Sequence, residues 1–170
     1  MSPTIYQVKK IQSGMLSVMA MPATGKHIEN EFFGLKRLGV SKVVCLLEWP
    51  EQCDLGLGAE QEYCEKYGLE YESFPIPDMG LPDTGPANRL LDQLANEIAN
   101  GKHVVIHCRA GIGRTGMMAG GILVKTGMSP ADALKLISLA RGVQVPDTGE
   151  QVQWLSGQVS VNTSSWLLHF

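Results

Sequence analysis

The stretch "KHVVIHCRAGIGRTG", residues 102–116, decides the fold and holds the chemistry. Residues 102–107 read as a short strand buried on both faces, built on Val104, Val105 and Ile106. The letters after it carry two overlapping patterns. Gly111 to Gly116 spells G-x-G-x-x-G, the mark of a dinucleotide-binding turn. Cys108 to Arg114 spells a cysteine, five residues and an arginine, which fits a thiol nucleophile with a phosphate clamp.

On both sides of this stretch, strand and helix patterns alternate. Residues 15–21 and 42–47 read as strands, and 69–75 as a third. In "HIENEFFGLKRLG", Ile28, Phe32, Leu35 and Leu38 share one helical face, and Gly39 ends it. Residues 59–68 form a second helix. A third, 87–101, aligns Leu90, Leu91, Leu94 and Ile98. Between them, "PIPDMGLPDTGP" (75–86) is a loop by its Pro and Gly content. After the central stretch a helix runs to Gly127. Another opens with Ser129 as N-cap and Pro130 at the first helical position. "DTGEQ" (147–151) offers two overlapping caps, Asp147 with Glu150 or Thr148 with Gln151. Trp166, Leu167, Leu168 and Phe170 are expected to pack back on the body. The repeated units imply an α/β fold, a single domain with a mainly parallel central sheet and helices on both faces. In such sheets, sites lie beyond the C-terminal ends of strands, where the cysteine loop sits.

The composition suits a globular domain: 170 residues, 44% apolar and 18% charged. A net charge of −3 argues against a nucleic-acid partner or an anionic membrane surface. The first ten residues lack the apolar run of a secretory signal, and no stretch reaches the roughly 18 apolar residues of a membrane span. A cytoplasmic location with reduced thiols is the expectation. Cysteines 45, 53, 64 and 108 and histidines 27, 103, 107 and 169 complete no zinc-like spacing, so no metal and no cofactor are expected.

The dinucleotide reading needs an acidic residue ending a strand about twenty residues on. Asp132 lies near that distance, but in "SPAD", the first turn of a helix. A nucleotide-triphosphate loop would need Gly-Lys-Ser/Thr after the glycines, and none follows. The phosphate-attack reading explains more letters. A strand, a tight loop and a helix start aim several backbone N–H groups into one concavity, a nest for a dianion. That nest comprises Arg109, Ala110, Gly111, Ile112, Gly113 and Arg114. Gly111 and Gly113 let the loop curl. Cys108 would lie at its floor, where the same dipoles favour a thiolate. Arg114 would grip two phosphoryl oxygens with its planar fork.

"HCRAGIGRTG" resembles the signature loop of the cysteine-based protein tyrosine phosphatase superfamily, His-Cys-x5-Arg-Ser/Thr. "FPIPDMGLPD" resembles the segment that carries its general acid. "ARGVQVPDTGEQVQWL" resembles its glutamine-bearing segment. The likeness is strongest to compact dual-specificity phosphatases of bacterial type. It implies one phosphatase domain over 1–170, with the signature-bearing part at about 15–155 and a C-terminal tail at 156–170.

The resemblance implies a role for each residue, against which a plain structural reading stands. Cys108 attacks phosphorus in line; otherwise it is a buried Cys at a strand end. Arg114 clamps the equatorial oxygens; otherwise it forms a surface pair at a helix start. Thr115 donates its hydroxyl to the sulfur; otherwise it satisfies backbone. His107 braces the loop. Asp78, thirty residues before Cys108, protonates the leaving oxygen and then activates water. Asp83 is its rival, and both have the alternative of a solvated turn Asp. Gln151 positions the attacking water or only caps a helix; its usual companion four residues earlier is replaced by Asp147. Cys45, Cys53 and Cys64 are candidate resolving thiols, Cys45 the best placed, with core packing as the alternative.

The implied activity is a metal-independent phosphoprotein phosphatase acting on phosphotyrosine, and on phosphoserine or phosphothreonine through a shallow pocket. A monomer with a phosphorylated protein as partner is expected. Phosphoinositide phosphatases of the superfamily often carry two basic residues in this loop; Arg109 fits the first position, while Ile112 occupies the second. A phosphoinositide or small-molecule phosphatase is therefore the alternative. Further rivals are a non-hydrolysing phosphate-binding module and a thiol-based arsenate reductase or sulfurtransferase.

Overall fold

A computed structural model describes residues 2–167, with side chains described through residue 158. The elements follow in the order β1 (Tyr6–Ile11), β2 (Gly14–Met19), α1 (Ile28–Arg37), β3 (Lys42–Cys45) and α2 (Trp49–Asp54). Then come α3 (Glu60–Lys66), β4 (Glu70–Ser73), α4 (Thr84–Ala99), β5 (His103–His107), α5 (Gly113–Lys125), α6 (Pro130–Arg141) and α7 (Gly149–Leu167). The sheet order is β1-β2-β5-β3-β4, with β1 antiparallel to β2 and the other neighbours parallel.

All five residues of β5 are buried. Successive side chains of a strand point to opposite faces, so the sheet is covered on both sides at its centre. One covering group is α1 with α3, where Phe32 stacks on Tyr63 with ring centroids 5.9 Å apart. The other is built around α5, which contacts α4, α6 and α7. Twelve of the thirteen residues of α5 are buried, consistent with a helix apolar on every side. Its glycines allow that packing. A Cβ at Gly121 would meet Leu91 of α4, and one at Gly120 would meet Leu155 of α7.

The stripe Leu90, Leu91, Leu94 and Ile98 is buried, as are Ile28, Phe32 and Leu35. Leu38, expected on that same face, is exposed. The helix ends at Arg37, and Leu38 is the cap where Gly39 (φ 88°) turns the chain away. Helix α4 begins at Thr84 rather than 87, because Pro86 fits the first turn, where its missing N–H is harmless. Ser129 caps α6 by accepting the Asp132 N–H. At α7 the Thr148–Gln151 cap forms: Thr148 Oγ1 accepts the Gln151 N–H at 3.1 Å, and Gln151 Oε1 accepts the Thr148 N–H at 3.3 Å.

Two elements escaped the apolar patterning. β1 is an edge strand whose polar, bulged sequence has no clean alternation. α2 is a short helix straight after β3, too brief for a 3.6-residue period to register. Among the described residues no helix is long and apolar enough to cross a membrane. The expected packing of Trp166, Leu167, Leu168 and Phe170 lies outside the described residues and side chains.

Candidate active site

The central strand β5 ends at His107, and α5 begins at Gly113. Between them the loop is held by its carbonyls. The Cys108 carbonyl accepts from His107 Nδ1 at 3.0 Å. The Arg109 carbonyl accepts the Met21 N–H at 2.9 Å. Arg141 donates Nη2 to the Ala110 carbonyl at 2.7 Å and Nε to the Gly111 carbonyl at 3.3 Å. The Ile112 carbonyl accepts the Gly116 N–H. Every carbonyl from 108 to 112 thus accepts a hydrogen bond from the surrounding protein, which leaves the loop's N–H groups as its free donors. Among the described residues, Arg109 to Ile112 donate no backbone hydrogen bond to the protein. The first N–H groups of α5 join them, so donors and helix dipole converge on one concavity. Gly111 is required here: its φ is 73°, and a Cβ would run into the Met19 carbonyl.

Cys108 is buried at the loop's origin, and Thr115 Oγ1 donates to its Sγ at 3.0 Å. Thr115 has no exposure, so its hydroxyl is fixed on the sulfur. Arg114 is also buried. Its Nη1 and Nη2 form a two-pronged pair with Glu51, at 2.8 and 3.1 Å, and Nη1 also donates to the Ile76 carbonyl at 3.0 Å. The Arg114 guanidinium holds the Glu51 carboxyl below the usual carboxylate range. These contacts hold the fork in one orientation.

Asp78 Oδ1 lies 3.2 Å from Arg114 Nη2, while its side chain stays 61% exposed. The backbone of the next residue, Met79, is left-handed (φ 60°), a conformation uncommon for a side-chain-bearing residue. Asp83, the rival, sits extended at the start of α4, and Ala87 N–H bonds its carbonyl. The structure brings Asp78 and Glu51 onto Arg114.

Gln151 is fully buried. Its Oε1 accepts the Asp147 N–H at 3.0 Å and that of Thr148, while Nε2 donates to the Gly80 carbonyl at 3.3 Å. It therefore caps α7 and fastens the Asp78 loop in one step. Arg109 is exposed at the rim. His107 is wholly buried, with Nε2 2.5 Å from Glu60 Oε1. Burial weighs against charge on its ring, but the Glu60 carboxylate and the Cys45 side chain outweigh it and hold the imidazole well above its ordinary pKa.

Glu51, Glu60 and Arg141 were not singled out in the sequence. The spacing "EWPE" is a weak signal for Glu51, since Glu48 N–H bonds Glu51 Oε2 as in a capping box. Nothing in the pattern marks Glu60 or Arg141, whose partners lie far along the chain.

A family model described as "Polymorphic toxin system, DSP-PTPase phosphatase" matches residues 17–128. A rat protein named cyclin-dependent kinase inhibitor 3 is 26% identical over 150 residues, covering 84% of this chain and 71% of its own. An Arabidopsis thaliana phosphatidylinositol 3,4,5-trisphosphate 3-phosphatase and protein-tyrosine-phosphatase, PTEN1, is 31% identical over 96 residues, 52% of this chain and 23% of its own. Among solved structures, a kinase-associated phosphatase with serine in place of its catalytic-site cysteine superposes with a TM-score of 0.83. It shares 19% identity, over 94% of this chain and 97% of that one.

Proposed function

Because this chain belongs to the DSP-PTPase phosphatase family of polymorphic toxin systems, and is a phosphoric monoester hydrolase of the dual-specificity type, we propose that it dephosphorylates phosphoproteins through a phosphocysteine on Cys108. One observation carries the reading most: the Cys108 sulfur sits under the Thr115 hydroxyl, at the origin of a loop whose carbonyls all accept hydrogen bonds from the surrounding protein.

In the first step the Cys108 thiolate attacks phosphorus, and the bond to the leaving oxygen breaks. The N–H groups of 109–114 and the Arg114 fork stabilise the equatorial oxygens as charge builds on them. Asp78 gives its proton to the departing oxygen. In the second step water attacks the phosphocysteine, Asp78 takes a proton from that water, and the thiolate leaves toward Thr115 Oγ1. Gln151 serves by holding the Asp78 loop and the α7 cap, with water positioning as its further proposed role. We infer a monomer whose signature-bearing part is about 15–155, acting in a reducing compartment such as the cytoplasm.

The test is p-nitrophenyl phosphate hydrolysis in excess chelator, with the intact protein beside Cys108→Ser. Activity that survives chelation and vanishes in the Ser variant is expected. Activity unchanged in the variant overturns the reading. A phosphopeptide panel beside an inositol phosphate then addresses substrate. The partial match to the Arabidopsis lipid and protein phosphatase keeps the phosphoinositide alternative in play, while Ile112 at the second basic position of the loop weighs against it.

A further inference from the structure

We infer that Cys45, Glu60 and His107 form a divalent-cation site of the zinc class behind the phosphate loop. Cys45 ends β3 and His107 ends β5, and the two are direct partners in the parallel ladder. Glu60 is the first residue of α3. A thiol sulfur, a carboxylate oxygen and an imidazole nitrogen from the three all lie within 4.8 Å of one another, and none of the residues has any exposure.

The donor set matches zinc: one sulfur, one nitrogen and one carboxylate, with a fourth position left for water. Tetrahedral bonds of roughly 2.0–2.3 Å put such ligand atoms about 3.3–3.7 Å apart. The three atoms already lie in that neighbourhood, and the His107–Glu60 pair need part by only about 1 Å. The imidazole is oriented for the task. Its Nδ1–H is donated to the Cys108 carbonyl, and Nε2 faces Glu60, so the cation would take the place of the Nε2 proton that the His107–Glu60 pair holds, with that proton and the Cys45 thiol proton released to solvent.

A second, independent feature points to a ligand. Glu60 Oε2 is buried and has no hydrogen-bond partner among the described residues. A plain His–Glu pair leaves that oxygen unsatisfied in a dry interior, at considerable cost. A carboxylate that binds the cation through one oxygen can accept from the cation's water with the other, which satisfies both. There is also an approach. The Tyr71 hydroxyl stands against Cys45, and Tyr71 forms one wall of a surface cavity of about 160 Å³, with Gln52 and Gln61 on others. The cation would then sit one residue behind Cys108, on the opposite side of the loop from the phosphate.

The experiment uses Cys108→Ser, so that the proposed nucleophile cannot supply the sulfur. The metal-stripped protein is titrated with Co²⁺ and then with Zn²⁺. Expected are one Co²⁺ per chain, a sulfur-to-cobalt charge-transfer band, tetrahedral visible bands, and displacement by Zn²⁺. Adding Cys45→Ser should abolish the charge-transfer band and weaken Zn²⁺ binding by about 100-fold or more. Adding Glu60→Gln should weaken binding but keep the band, and exposed Cys53→Ser should change neither. Circular dichroism verifies that each variant is folded. A folded Cys108→Ser protein that takes up no Co²⁺, or a band that survives Cys45→Ser, overturns the site. The readout is binding in an inactivated variant, so its result is independent of the phosphatase reading.

Discussion

At the scale of single residues, the site works by preparing charges in advance. Thr115 Oγ1 makes its side-chain hydrogen bond to the Cys108 sulfur, so its proposed duty is departure of the thiolate. Thr115→Val removes one hydrogen bond to a charged group, worth about 1.5–3 kcal/mol, and should slow phosphoenzyme breakdown roughly 10–100-fold. Rapid-quench or stopped-flow kinetics would show a burst of released alcohol absent from the parent. Asp78→Asn should cost about 10²–10⁴ in turnover on a poor leaving group and less on p-nitrophenyl phosphate. Asp83→Asn should stay within about twofold; the reverse ranking would transfer the acid role to Asp83. Glu51 supplies a pH test. Its folded pKa lies below its unfolded value, through its hydrogen bond to Arg114. Its stabilising contribution is therefore complete above the unfolded value, about 4.3, and is lost as pH falls through the folded one. The melting-temperature gap between parent and Glu51→Gln should be open at pH 7 and close as pH drops below about 4.

At the scale of elements, the loop depends on braces from distant parts of the chain. Arg141, at the end of α6, supports two of the loop carbonyls and lies 4.4 Å from the Tyr6 ring of β1. Arg141→Met keeps much of the stem but frees both carbonyls to rotate. It should lower kcat at least tenfold, about 1.4 kcal/mol, with a smaller change in melting temperature. Comparing the two measurements separates loop order from general destabilisation. The start of β2 is equally constrained. A Cβ at Gly14 would strike the Ile98 and Lys102 carbonyls, which are backbone and cannot rotate aside. Gly14→Ala should therefore destabilise by about 1–3 kcal/mol or more, visible as a lowered denaturation midpoint. Helix α4 was legible from its apolar stripe, α5 from its stop at Gly127, and α6 from its Ser129 cap and Pro130, all of them local signals. β1 and α2 were not, since a bulged polar edge strand and a six-residue helix carry too little periodicity.

At the scale of the whole molecule, the chain is built to present one loop. The sheet order places β5 between β2 and β3, with parallel partners on both sides. The loop thus emerges at the crevice where α/β sheets bind ligands. With a net charge of −3, the proposed phosphate grip draws on the N–H groups and Arg114 of one concavity. Sedimentation should give a single-chain species; a stable dimer would correct the proposed monomer.

By itself the sequence determined the β-α alternation, the cysteine loop with Arg114 and Thr115, and the candidate acid in 75–86. The alternation and the Cys108–Arg114 spacing are carried by local windows, where spacing is geometry, while the acid segment and the Thr115 role are what the family resemblance implied. Only the tertiary structure decided which acidic residue meets Arg114, that Glu51 orients the fork, and that Arg141 holds the loop from behind. It also turned Gln151 toward Gly80 and gathered Cys45, Glu60 and His107 from three elements into one buried cluster. The physical reason is the same in each case. These contacts join residues tens of positions apart, and only the closing of the sheet and its covering helices brings them within bonding distance.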